Sequence, residues 1–330
     1  MKRIGILLCV VIAGCSSPRH QMDRQRISVD FTFQTDTHTL RGTLVKPPGT
    51  GPFPVVVWCH GSGELDRTAG LRVADPFLDE GIAFLAWDKI GTGESSGDFY
   101  AQPFSERVDV VLAAIRELEK RPDIDRFRIG LAGISQAGYV APGVIRRYPS
   151  IDFLLLISPG IWTPEQERSY QEKTRFLEYL LRKVGVTDET QVSQILKHRS
   201  TIGELKDAGQ RQALYEQIIT TEWFPKVQFL FPDPQERSPA ADRFNAEWLA
   251  FEPVKEYSAI QCRTLVLFGE ADRCVDPEIS GRNIRKGFSI SGNENLTIHI
   301  YPGADHGLQI DGGYPESFWK DLKNWLRHDS

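Results

Sequence analysis

The sequence has no basic stripe: acidic residues outnumber basic ones, 44 to 39, for a formal net charge of −5. Proteins that grip nucleic acid neutralise phosphates with clustered Lys and Arg, so no nucleic-acid partner is expected. Cysteine is scarce, with five in 330 residues, and no Cys, His or acidic residues stand at metal-ligand spacing. No metal and no cofactor are expected on that ground. Long apolar runs are missing too. The N-terminal one, Ile4 to Ile12, is too short to cross a bilayer. There is no internal repeat, which excludes propellers and solenoids, and no low-complexity tract.

That N-terminal run is preceded by Lys2 and Arg3 and followed by Ala13-Gly14-Cys15. A charged start, a short apolar core and small residues make a cleavable export signal. Because the small residues meet a Cys, Val11 to Cys15 resembles a bacterial lipoprotein signal, with Cys15 as the lipidated residue. An ordinary signal peptide with Cys15 incidental is the alternative. Residues 1–14 are then the signal, and 15–26 a polar tether beginning Ser16-Ser17-Pro18. Ser rather than Asp after the Cys resembles outer-membrane sorting. The expected location is the periplasmic face of the outer membrane, with membrane contact only through the lipid. Cys59, Cys262 and Cys274 are left, an odd number, so at most one disulfide joins them.

Ile27–Phe33 and Thr39–Val45 alternate apolar and polar residues, as an antiparallel pair does, with a turn near Asp36. Val55–Cys59, Ile82–Trp87, Phe127–Ala132 and Phe153–Ile157 are continuous apolar runs, the pattern of parallel strands buried on both faces. Between them, residues 69–80, 104–119 and 139–148 have helical character. Alternating strands and helices make a mostly parallel sheet covered on both faces. The alternation stops at Ile161. As far as Tyr257 the chain is charged and helical (165–182, 191–198, 211–219), with scattered aromatics, and is too long for a loop. It is expected to be a helical cap, residues 161–257, inserted into a core of residues 27–160 and 258–330. Strand patterns resume at Thr264–Phe268 and Leu296–Tyr301, and an amphipathic helix follows over 315–327.

The segment Gly133-Ile134-Ser135-Gln136-Ala137 joins an apolar strand to a helix. A Ser between small residues at such a junction has the setting of a nucleophile elbow, which pushes the hydroxyl into the open. A Ser capping an ordinary helix explains the same residues. A hydroxyl needs a base, and the base needs an orienting carboxylate. In doubly wound sheets ligands lie beyond the carboxyl ends of the strands, so partners are sought there. Leu265–Gly269 is followed by Glu270-Ala271-Asp272, and Leu296–Tyr301 by Gly303-Ala304-Asp305-His306-Gly307. The order Ser135, Asp272, His306 follows; Glu270 and Asp276 rival Asp272, and His299 and His60 rival His306. An oxyanion needs backbone donors. Those expected are the N–H groups of Gln136 and of Ser62, with Gly61 and Gly63 as alternates to Ser62. These three lie within His60-Gly61-Ser62-Gly63, where His60, Gly61 and Gly63 would also touch substrate, unless this is only a Gly-rich turn.

HGSGELDR at 60–67, DKIGTGES at 88–95, GISQAG at 133–138, LVLFGEADRCV at 265–275 and GADHG at 303–307 together resemble bacterial serine esterases of the α/β-hydrolase superfamily. The resemblance runs from Ile27 to the end and is thin in the cap; Ala137 departs from the usual Gly. It implies an α/β-hydrolase fold and a cofactor-independent serine hydrolase acting on a small-molecule acyl ester. Ser135 would be the nucleophile, Asp272 the acid and His306 the base, and Asp66 and Arg67 would shape the loop. The alternatives are a peptidase or thioesterase with the same three residues, and a binding lipoprotein without catalysis.

Overall fold

The computed structural model describes residues 26–99, 102–231, 233 and 239–327. The expected signal, Cys15 and nearly all of the tether lie outside the described residues.

One eight-stranded sheet runs through the molecule in the order β1-β2-β4-β3-β5-β6-β7-β8. The strands are β1 (Ile27–Gln34), β2 (Thr39–Lys46), β3 (Phe53–Cys59), β4 (Ala83–Trp87), β5 (Ile124–Ile134), β6 (Phe153–Ile157), β7 (Arg263–Gly269) and β8 (Leu296–Tyr301). β1 pairs antiparallel with β2, and β2 antiparallel with β4. All later pairings are parallel.

Successive residues of the central strands serve opposite layers. Val55 and Val57 of β3, with Leu154 and Leu156 of β6, face one core. Val56 and Trp58, with Phe153 and Leu155, face the other. Both sets are buried, which explains why these strands are apolar at every position. Each such Val or Leu contributes roughly 1.5–3 kcal/mol of burial.

The helices that follow β3 are α1 (Arg67–Leu71) and α2 (Asp75–Asp79). The single helix expected over 69–80 is therefore two. Pro76 has no N–H to donate back into a continuing turn, so the chain restarts with it in the first turn of α2. α3 (Phe104–Leu118) and α4 (Ala137–Arg147) cover the first core. β5 begins earlier than expected, at Ile124, and Phe127 on it is 74% exposed.

α4 contains Pro142, which leaves the carbonyl of Gly138 without its helical donor. The buried Tyr257 hydroxyl donates to that oxygen at 3.1 Å. A residue more than a hundred positions away thus completes the helix after the Ser135 turn.

From β6 to β7 the described residues form only helices: α5 (Pro164–Lys173), α6 (Phe176–Lys183), α7 (Glu189–Glu204), α8 (Ala208–Ile218), α9 (Phe224–Val227), α10 (Pro239–Leu249) and α11 (Pro253–Tyr257). The helical stretch 165–182 is broken at Arg175, whose φ is +52°. Leu181, Val192, Ile195, Trp223 and Phe231 make a small core of their own. Phe244 and Phe251 reach the sheet-side helices through Phe104 and Tyr139. α12 (Pro277–Ser291) and α13 (Glu316–Arg327) close the fold, and Phe318, Leu322 and Leu326 of α13 enter the second core.

Candidate active site

The residues singled out in the sequence follow the carboxyl ends of β3, β5, β7 and β8. β5 terminates at Ile134, and Ser135 follows with φ +55°, a left-handed conformation that non-Gly residues rarely adopt. Its N–H donates to Ile157 O at 2.8 Å and its carbonyl accepts from Gly138 N at 3.0 Å. Both ends of the turn are thus tied down. The Ser135 side chain does not cap α4, whose N-cap is Gln136 without a side-chain bond, so the capping alternative is excluded.

The elbow is tight because Gly133 has no side chain. A Cβ there would stand 2.4 Å from Ala137 Cβ and 2.5 Å from Cys59 O. The methyl of Ala137 occupies the room that Gly133 leaves, which is how Ala fits where related motifs carry Gly.

Asp272 follows β7 and His306 follows β8. Both are buried, and His306 Nδ1 donates to Asp272 Oδ2 at 2.7 Å. The other carboxylate oxygen, Oδ1, accepts from Cys274 N at 2.7 Å and Val275 N at 3.0 Å. The rivals are occupied elsewhere. Glu270 accepts from Gly303 N at 3.1 Å, and Asp276 caps α12 through Glu278 N and Ile279 N. His299 lies within β8. The His306 loop is shaped by Asp305, whose Oδ1 accepts from Gly307 N and Gln309 N. Tyr170 of α5 donates its hydroxyl to Asp272 O, linking the inserted helices to this loop.

Burial disfavours the imidazolium of His306. The charge and hydrogen bond of Asp272 outweigh that, with help from Asp305, and hold the group above its ordinary value. Its other nitrogen, Nε2, is buried with no hydrogen-bond partner among the described residues, so Ser135 Oγ is not bonded to it. Cys274 contributes the third member of a group, with Asp272 and His306, whose polar atoms lie within 4.8 Å of one another. Burial pushes the Cys274 thiol up, which favours its protonated form.

The glycine-rich loop after β3 lies against the elbow. A Cβ on Gly61 would come within 3.3 Å of Ile134 O and 3.7 Å of Ser135 Cβ. Gly61, Ser62 and Ser135 share the wall of a cavity of about 160 Å³ with Trp58, Leu65 and Ile134. His60 is not in that wall. Its Nε2 donates to Trp87 O at 2.6 Å, and its ring lines a separate small cavity with Lys89 and Arg107. Burial first, then the Lys89 charge, pushes the His60 imidazole down to about 3. The ring therefore faces the Lys89 side of the loop and not the cavity beside Ser135.

Two loops are laced together behind the site. The Arg67 backbone N–H and its Nε donate to Asp88 Oδ1 at 2.8 and 3.0 Å, and its Nη2 donates to Asp88 Oδ2 at 2.6 Å. Glu94 N completes that carboxylate at 2.9 Å. Arg107 of α3 holds the side chain of Gln136 through its Oε1. Arg107 did not stand out in the sequence, and Lys89 did so only as one letter of the DKIGTGES segment. A helix Arg and a loop Lys are ordinary surface residues until tertiary contacts bury them. Cys59, Cys262 and Cys274 are all free thiols.

Comparison with known proteins agrees with this frame. The family described as serine aminopeptidase, S33, matches residues 50–226, more than half of the chain, which takes in Ser135 but neither Asp272 nor His306. Esterase EstD of Thermotoga maritima is 26% identical over 283 residues, covering 83% of this chain and 58% of that protein. An uncharacterized 31.7 kDa protein of Escherichia coli is 23% identical over 72% of this chain and 78% of its own length. The Pyrococcus furiosus esterase Pf2001 superposes with a TM-score of 0.58 at 16% identity, over 91% of this chain and 92% of that one. Est1E of Butyrivibrio proteoclasticus, solved with ferulic acid, gives 0.57 at 17% identity over 90% and 97%. The fold is that of the α/β-hydrolases, and the chain belongs to the serine aminopeptidase S33 family.

Proposed function

We propose that the protein is a serine hydrolase that cleaves carboxylic esters through an acyl-enzyme on Ser135. The observation that carries this reading is the buried Asp272–His306 hydrogen bond, which leaves Nε2 unpartnered in a site that also holds a strained serine elbow. Hydrogen bonds between nucleophile and base are often long in unliganded sites and tighten around substrate. Ser135 Oγ attacks the ester carbonyl carbon and His306 Nε2 takes its proton. The N–H groups of Ser62 and Gln136 bind the resulting oxyanion. Collapse expels the alcohol, which leaves with the proton from Nε2. Water then attacks the acyl-serine by the same steps in reverse roles. Asp272 holds the imidazole in the productive tautomer and offsets its positive charge.

The cavity of about 160 Å³ beside Ser135 supports a small acyl group. Its wall also carries Glu64, Asp66, Thr68 and Arg72, and its volume suits an acetyl or butyryl group better than a decanoyl chain. The helical insertion, residues 161–257, is the proposed cap over the site. The description of the family favours a second reading, hydrolysis of aminoacyl amides with the same residues. Rates on p-nitrophenyl acetate, butyrate and decanoate, beside aminoacyl p-nitroanilides, separate them. Short esters should exceed decanoate by about tenfold or more in kcat/KM. Faster cleavage of the anilides would replace the ester reading with the peptidase one.

Export and lipid attachment at Cys15 belong to the same proposal. Palmitate labelling in a bacterium with two membranes, abolished in Cys15→Ala, is the expected result; labelling that survives the substitution contradicts it.

A further inference from the structure

Lys89 is 5% exposed and sits in the loop after β4, within the DKIGTGES segment. Its Nζ donates to Gly61 O at 3.0 Å and to Gly63 O at 2.9 Å. Those two carbonyls flank Ser62. The backbone of Lys89 is itself anchored, since its N–H donates to Leu65 O at 3.2 Å and its carbonyl accepts from Thr92 N and Thr92 Oγ1, each at 2.9 Å. Next to it, the Asp88 carboxylate is clasped by Arg67. The ring of Phe99 covers the ammonium group at 4.9 Å.

Burying a lysine in this way is costly, and an apolar side chain of similar length would fill the space without the desolvation. What Lys89 supplies and a Met would not is two donors on alternate carbonyls of a glycine-rich loop. Glycines leave that loop many backbone conformations, and the orientation of each peptide unit decides where its N–H points. Gly61 C=O and Ser62 N–H belong to one planar peptide unit, so fixing the oxygen fixes the direction of the N–H. A hydrogen bond on that oxygen also polarises the unit and strengthens the N–H as a donor.

We infer that Lys89 is a positioning residue for ester hydrolysis: its two hydrogen bonds lock the Gly61–Gly63 loop so that Ser62 N–H is aimed at the oxyanion. This rests on the proposed reading of Ser135 and Ser62. Lys89 touches no reacting atom and acts through the loop, so its removal should weaken transition-state binding more than substrate binding.

The test compares wild type with Lys89→Met and Lys89→Gln on p-nitrophenyl acetate, and measures inhibition by trifluoroacetophenone, whose serine adduct is an oxyanion. In Lys89→Met, kcat should fall about 100-fold, the range for losing one oxyanion donor, with KM changed less than about threefold. Affinity for the ketone should fall by the same factor as kcat. Lys89→Gln keeps two N–H donors and should recover about tenfold of the loss; it also carries the test if the Met variant does not fold. A folded Lys89→Met with wild-type kcat and ketone affinity overturns the inference, as does Lys89→Gln no better than Met. Ser135→Ala is assayed in parallel. If it is inactive while Lys89→Met is not, only the Lys89 inference fails; if it retains full activity, the acyl-enzyme reading fails and this inference with it.

Discussion

Asp272→Asn is the most informative single substitution in the site, because the surroundings dictate how the new amide must sit. Asp272 Oδ1 accepts from two backbone N–H groups, those of Cys274 and Val275. An Asn has one oxygen acceptor, and those two donors hold it. The NH2 group must then face His306 Nδ1, where the carboxylate stood at 2.7 Å. A donor facing Nδ1 forces that nitrogen to accept, which moves the ring proton to Nε2, and an imidazole protonated there cannot take a proton from Ser135. The lost charge adds to this. A unit pair 2.7–4 Å apart at an effective dielectric constant near 20 is worth roughly 4–6 kcal/mol, or about 10³–10⁴ in rate. The assay is kcat on p-nitrophenyl acetate, with KM expected to change little, since substrate does not meet Asp272. A loss of less than about tenfold in a folded variant would refute the tautomer reasoning.

Two further expectations follow from the same geometry. The neutral His306 is the active form, and Asp272 holds its pKa above 6.5, so kcat/KM should rise with pH through a midpoint above that value. In Asp272→Asn burial is left to dominate, and the midpoint of the residual rate should move down; an unchanged midpoint contradicts the assigned cause. Gly133→Ala should cost about 1–3 kcal/mol of stability by overpacking, because its methyl meets Cys59 O and Ala137 Cβ. A urea midpoint equal to that of wild type would show that the elbow has room after all.

Much of the sheet was legible because burial on both faces demands apolar residues at every position of β3, β4 and β6, and few other structures do. The last two strands were as clear, and so was the serine between small residues. What periodicity could not resolve was competition among near neighbours. Glu270, Asp272 and Asp276 are equivalent in sequence, and only the turn after β7 decides which one faces His306. Helix breaks were missed for local reasons: Pro76 restarts a helix, and Arg175 reverses its φ without a Gly to announce it. The roles of Lys89, Arg107 and Tyr257 were invisible because each acts on residues far away in the chain. His60 looked available for substrate because it ends a strand at the right edge; its turn toward Trp87 O is a tertiary choice.

The most direct measurement of the central claim is mass spectrometry of the folded protein after reaction with a fluorophosphonate. The account predicts one adduct, on the tryptic peptide spanning residues 129–146 that contains Ser135, and its disappearance in Ser135→Ala. An adduct on another residue, or none on folded wild-type protein, would contradict it.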